Sequence, residues 1–152
     1  MWITNREDMA MLTDTQVVWR LFIAAVLGGI IGFERQKHNQ RIAGFRTHIL
    51  VSIGSALIML VSIYLFEIYA GRAPVDPARI AAGVVTGIGF LGAGTIIRSG
   101  ESVKGITTAA SLWIVSGIGL AVGCGFFIAG CAASIIALAT LYLLRKIPIE
   151  DK

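Results

Sequence analysis

Residues 74–113 read PVDPARIAAGVVTGIGFLGAGTIIRSGESVKGITTAASLW, and this stretch decides the fold class. A long apolar run carries Gly83, Gly87, Gly89, Gly92 and Gly94, opens on Asp76-Pro77 and closes on charge. A second apolar run starts at once with Thr107-Thr108. In water each of those glycines would cost a helix roughly 1 kcal/mol against alanine. In a bilayer the backbone has no water to bond with, so the helix persists and glycine becomes a contact surface. The stretch therefore predicts two closely packed membrane helices.

The remainder of the chain has the same character. Of 152 residues, 56% are hydrophobic and only 14% charged, and the mean hydropathy is +0.80. A soluble domain of this length needs far more polar surface. Five apolar blocks separated by short polar joints predict one transmembrane domain over residues 1–152. The expected fold is an all-α integral membrane protein, a bundle of about five transmembrane helices with glycine-rich packing. Candidate spans are 17–33, 48–70, 80–97, 106–123 and 125–144, each near the ~20 residues that cross ~30 Å of hydrocarbon. Gly123-Cys124-Gly125 leaves a very short turn between the last two, so four spans with one re-entrant block is the competing arrangement. Glu7, Asp8 and Asp14 give the N-terminal stretch the wrong charge for a cleavable leader, so the first span is expected to stay.

The net charge of +4 sits in the joints between apolar blocks. Its expected partner is the lipid bilayer rather than nucleic acid. With five spans, the joints 34–47 and 98–105 and the C-terminal tail share one side and hold nine Lys and Arg residues. The other side holds three, Arg6, Arg72 and Arg79. The expected arrangement is an inner-membrane, multi-pass protein with its N-terminus outside and its C-terminus in the cytoplasm.

G-x-x-x-G spacing recurs at Gly28/Gly32, Gly83/Gly87 and Gly119/Gly123. Glycines four apart form a flat groove that admits a neighbouring helix. The groove serves either a homodimer face or packing within the monomer, and packing is the reading taken for most of them. Gly83, Gly87, Gly89, Gly92, Gly94 and Gly105 are expected to pack helices, as is Trp113, which lies too deep in its span for an interfacial belt. Gly87-Ile88-Gly89-Phe90-Leu91-Gly92 spells a nucleotide-binding fingerprint, but it lies inside one apolar block without the flanking strand, so it is rejected. Asp76 caps a helix whose first residue is Pro77, with Arg79 close behind. Glu34 and Arg35 close the first span while Arg46 and Thr47 open the second, and an acid among positive residues there predicts an ion pair. Arg20 and Glu67 either pair with each other or reach separately for the headgroups. Thr107 and Thr108 satisfy backbone groups at a helix entrance.

His38 and His48 lack the neighbours of a metal site. Cys124 and Cys131 read as small packing residues. No nucleophile with a base and no paired acids stand out, so the sequence points to no enzyme, no cofactor and no metal.

Three ordered blocks resemble the MgtC/SapB (YhiD-like) family of bacterial inner-membrane proteins: LGGIIGFERQ at 27–36 with AGFRTH at 43–48, DPARIAAGVVTGIGFLGAG at 76–94, and KGITTAASLW at 104–113. The resemblance covers nearly the whole chain. It implies a non-enzymatic membrane protein, regulatory in magnesium limitation, acid stress or membrane-energy homeostasis, that acts by binding itself or another inner-membrane protein. A small oligomeric ion channel or transporter, for magnesium or another cation, is the alternative it leaves open. Family residues carried over are Glu34, Arg35, Arg46, Thr47, Asp76, Arg79, Gly89, Gly92, Gly94, Gly105, Thr108 and Trp113. One virulence-associated branch is credited with restraining the proton-translocating ATP synthase. Its longer members add a soluble cytoplasmic domain and carry Asn where this chain has Thr107, so the expectation here is a short form.

The orientation has a direct check. Cysteines placed at positions 5 and 150 are expected to label from outside intact cells only at position 5. Equal external labelling at both would remove the odd number of spans.

Overall fold

The computed structural model describes residues 12–37 and 42–143. Five helices follow one another: α1 (Asp14–Lys37), α2 (Phe45–Tyr69), α3 (Pro77–Ala93), α4 (Ile106–Gly123) and α5 (Phe127–Leu143). A two-stranded antiparallel hairpin, β1 (Ile97–Ser99) and β2 (Ser102–Lys104), joins α3 to α4. Helix α4 packs against all four other helices. Its Leu112, Val115, Ile118 and Val122 are buried, and the last three meet Ala24 and Ile31 of α1 and Ala56 of α2 in the core. Large apolar side chains elsewhere point outward, among them Phe22, Phe33, Leu50, Phe90 and Ile128. In water so much exposed hydrocarbon would aggregate, whereas in a bilayer it is solvated. Helices α1, α2 and α4 are long and apolar enough to cross a membrane, while α3 and α5 are apolar but shorter.

Local chemistry explains the boundaries. Asp76 sits at the N-cap of α3 and accepts from the Ala78 backbone N–H at 2.8 Å, with Pro77 at the first helical position. The Gln36 side chain reaches from α1 to accept from the Phe45 N–H at 3.2 Å, so the end of α1 caps the start of α2. The third span was expected to run to residue 97, but α3 stops at Ala93. Gly92 and Gly94 weaken the helix there, and Thr95, Ile96 and Ile97 are β-branched residues that favour a strand. Gly105 closes the hairpin at φ 95°, and a Cβ there would run into the Thr95 carbonyl, so the hairpin requires glycine.

Tight packing falls on other glycines than those of the Gly-rich third span. A Cβ at Gly28 would stand 2.6 Å from Ser52 Cβ and 2.8 Å from the His48 carbonyl oxygen. One at Gly32 would meet Phe45 Cα at 2.9 Å, one at Gly123 would meet Ala56 Cα at 2.9 Å, and one at Gly119 would strike the Ser52 carbonyl. Both pairs therefore seat α1 and α4 directly on the α2 backbone. The expectation that Gly83, Gly87 and Gly89 pack helices is corrected: each has open space where a Cβ would go. Gly92 is buried and makes ordinary contact with Ala109 of α4 at 3.5 Å, and Gly94 lies against carbonyls of its own helix end. Trp113 is also corrected, since it is 54% exposed on the outward face of α4 rather than wedged between helices. Cys124 and Cys131 are free and exposed rather than packed inside.

Arg20 has neither of the two expected roles. Its Nη1 donates to the Gly123 carbonyl at 2.8 Å, capping α4 where the chain turns into α5. The last carbonyls of a helix carry partial negative charge, and a cation there is favoured all the more where water is scarce. Gly125, at φ 87°, leaves room for the guanidinium. Arg6, Arg41 and the C-terminal Arg145, Lys146 and Lys152, which the charge argument used, lie outside the described residues, as does His38.

These contacts separate the two kinds of glycine. Gly119→Ala or Gly28→Ala is expected to destabilise the protein by roughly 1–3 kcal/mol through overpacking against backbone. Gly83→Ala should be neutral or stabilising, because only helix propensity changes. Thermal unfolding in detergent measures the difference. Equal losses at Gly28 and Gly83 would count against α1 being seated on α2 in this way.

Candidate functional site

The chain reverses four times, so the α1–α2 junction and the β1–β2 hairpin share one end of the bundle. The start of α3 and the α4–α5 turn share the other. At the first end, polar side chains from three helices meet inside the apolar core. Arg35, in the last turn of α1, is only 6% exposed. Its Nη2 donates to Thr108 Oγ1 at 3.2 Å, and the neighbouring Glu34 carboxylate attracts its charge. Thr108 is fully buried in the first turn of α4.

One turn along α4, the Ser111 hydroxyl lies 2.8 Å from the Thr108 carbonyl and 3.0 Å from His48 Nε2. His48, fully buried in the first turn of α2, places Nδ1 2.8 Å from the Gly44 carbonyl. A carbonyl only accepts, so Nδ1 carries the proton, and Nε2 accepts from Ser111 when the ring is neutral. The single hydroxyl proton of Ser111 thus serves either His48 or the Thr108 carbonyl. Arg35 lies near enough for its charge to act on His48. The result is one polar chain, Glu34–Arg35–Thr108–Ser111–His48, that ties α1, α2 and α4 together.

Burial of such groups in an apolar core is expensive unless they are bonded to one another. Their mutual bonds make the arrangement stable and specific in geometry, because no lipid or side chain can replace them without leaving a partner unsatisfied. Among the described residues, no three of His, Cys, Asp and Glu stand together in a way that would hold a metal ion.

The other expected site residues separate into two groups. Arg46 is exposed, and Thr47 is half-buried beside it. Thr107 is exposed on the α4–α5 side while Thr108 turns inward. Asp76 and Arg79 are at the opposite end, where one carboxylate oxygen of Asp76 caps α3. His48 and Ser111 were missed as members. A signal for them exists: Ser52, Ser55, Ser62, Ser111, Ser116 and Ser134 all lie in apolar spans and all are buried. Small polar residues in a membrane span face the bundle interior, where they find partners.

The MgtC family profile matches residues 21–148. Among curated proteins, the Escherichia coli K12 protein described as "Putative magnesium transporter YhiD" is 41% identical over 134 residues, covering 87% of this chain and 62% of that protein. "Protein MgtC" of Salmonella typhimurium LT2 is 46% identical over 129 residues, or 85% of this chain and 52% of the relative. "Protein MgtC" of Brucella abortus is 41% identical over 124 residues, or 82% and 49%. No solved structure matches the chain. The chain belongs to the MgtC family, and it is a membrane protein. It spans about half to three-fifths of the length of these relatives.

The polar chain can be tested by a double-mutant cycle. Arg35→Gln and Thr108→Val are each expected to lower thermal stability, and the double variant should lose less than the sum, with a coupling of roughly 0.5–3 kcal/mol. Arg46→Gln, at an exposed position, should stay within about 0.5 kcal/mol of the parent. Additive losses at Arg35 and Thr108 would mean that their bond does not hold α1 to α4.

Proposed function

We propose that this MgtC-family chain is a non-enzymatic regulatory protein of the bacterial inner membrane that acts by binding membrane partners, itself included. Its setting would be magnesium limitation, acid stress or membrane-energy homeostasis. The observation that carries this reading is how the polar groups are used. Arg35, His48, Thr108 and Ser111 bond to one another across α1, α2 and α4, and beyond them the same helices meet backbone to backbone at Gly28 and Gly119. A transport path needs polar groups facing a wet cavity. Here the polar groups face each other and brace the bundle.

The proposed topology is five spans with the N-terminus outside and the C-terminus in the cytoplasm. Exposed Lys37, Arg46, Arg98 and Lys104 cluster at the braced end, which fits a cytoplasmic face under the positive-inside rule. That end is the proposed docking face for a regulatory partner, ahead of the short external joint at 71–79.

The second reading is a small oligomeric cation channel or transporter. The name carried by the Escherichia coli relative favours it. A central path between copies would leave the packing within each protomer untouched.

Reconstitution into liposomes separates the two. With a magnesium-sensitive dye inside, influx is expected to equal that of protein-free vesicles under an imposed potential. Influx above that level that is lost in Arg35→Gln would establish transport and set the regulatory reading aside.

A further inference from the structure

Helices α4 and α5 leave a groove of about 450 Å³ on the outside of the bundle. Thr107, Ser111 and Ile114 line it from α4, and Ala133, Ala137 and Thr140 from α5. It starts at the basic end, at Thr107 and Thr140, and runs inward to Ile114 and Ala133. The seven helical steps from Thr107 to Ile114, and from Ala133 to Thr140, give it a length of about 10 Å. That is most of one leaflet's ~15 Å of hydrocarbon. Its two parts differ in chemistry. The deep part is alanine and isoleucine, and the mouth carries hydroxyls.

The mouth has groups in need of an acceptor. The Thr107 and Thr140 hydroxyls have no partner among the described residues. Gly105, at the N-cap of α4, supplies no side-chain cap, so the first backbone N–H groups beside Thr107 also lack a side-chain acceptor. Lys104 lies three residues ahead of Thr107, exposed, and the described cations at this end, buried Arg35 and exposed Lys37, Arg46, Arg98 and Lys104, outnumber the acids, Glu34 and Glu101. At this groove a second copy of the chain would bring like charge to the mouth, whereas an anionic headgroup brings the opposite one. An occupant with an anionic head and an apolar tail satisfies both halves of the groove.

We propose that the α4–α5 groove binds one anionic phospholipid. Its phosphate accepts from Lys104 and from the Thr107 and Thr140 hydroxyls, and one acyl chain lies against Ile114, Ala133 and Ala137. Basic sites between membrane helices recognise anionic headgroups in this way. The Ser111 hydroxyl sits in the groove wall while bonded to the His48 chain, so the occupied groove touches the brace that holds α2 to α4.

The test uses the purified full chain in mixed vesicles of phosphatidylglycerol and phosphatidylethanolamine with identical acyl chains. Native mass spectrometry after extraction reads retained lipid. One phosphatidylglycerol per chain is expected, retained in preference to phosphatidylethanolamine. Lys104→Gln should lower its occupancy about fivefold, the share of one lysine near a charged headgroup. Ala137→Leu, which fills the groove, should abolish retention of either lipid, with helix content by circular dichroism showing that the variant folds. A photoactivatable phosphatidylglycerol on the unmodified chain should cross-link to α4 or α5, whichever variants fold. Equal retention of the two lipids, retention unchanged in Ala137→Leu, or cross-links confined to other helices would overturn the proposal. So would a dimer that Ala137→Leu dissociates, since a second copy would then occupy the groove.

Discussion

Everything in this structure depends on how closely α1 and α4 approach the backbone of α2. At Gly28 and Gly119 there is no room for even one added carbon. In a bilayer there is no hydrophobic drive to bring helices together, because lipid tails are as apolar as leucine. Association has to come from dense contact and from polar bonds, and both fall off steeply with distance. The glycines set the distance. Once it is set, Arg35 reaches Thr108 and His48 reaches Ser111. A wider spacing would leave each of those groups buried without a partner.

The packing and the polar chain are therefore one device in two parts. The glycines of α1 and α4 act along most of the length of α2, and the polar chain acts at one end. Arg20 does at the far end what Arg35 does at the near one, with a backbone carbonyl of α4 as its acceptor. Helix α4 is thus held at both ends by arginines of α1, while Val115, Ile118 and Val122 pack in the apolar core between them. Helices α3 and α5 attach to this three-helix core by more ordinary contact and leave grooves on its outside.

The class of fold was legible because it rests on composition and block length. Apolar blocks of about the right length leave few alternatives, and all five helices lie where blocks were seen. The hairpin was not legible. Ile96 and Ile97 prolong the apolar run at the end of α3, and hydropathy cannot tell a helix's last turn from a short strand. The packing glycines were assigned to the wrong helix in large part. Gly83, Gly87 and Gly89 are conspicuous in sequence, but the number of glycines says nothing about which face meets a neighbour. Gly28, Gly32, Gly119 and Gly123 show the same spacing and are the ones in contact. In the site, Glu34, Arg35 and Thr108 were found by charge at a span end and by family pattern. His48 and Ser111 belong to helices 63 positions apart, and no local spacing joins them.

The lengths of the helices have one further effect. Helix α2 has 25 residues and α3 has 17, or about 38 Å against about 26 Å. Both ends of α3 are fixed, by the Asp76 cap and by the hairpin that follows Gly94. No single hydrocarbon thickness suits both helices. The bilayer beside α3 must thin, or α2 must lean, at a fraction of a kcal/mol for each ångström of mismatch. Where α2 stays upright, the lipid beside it and the lipid beside α3 are held at different thicknesses.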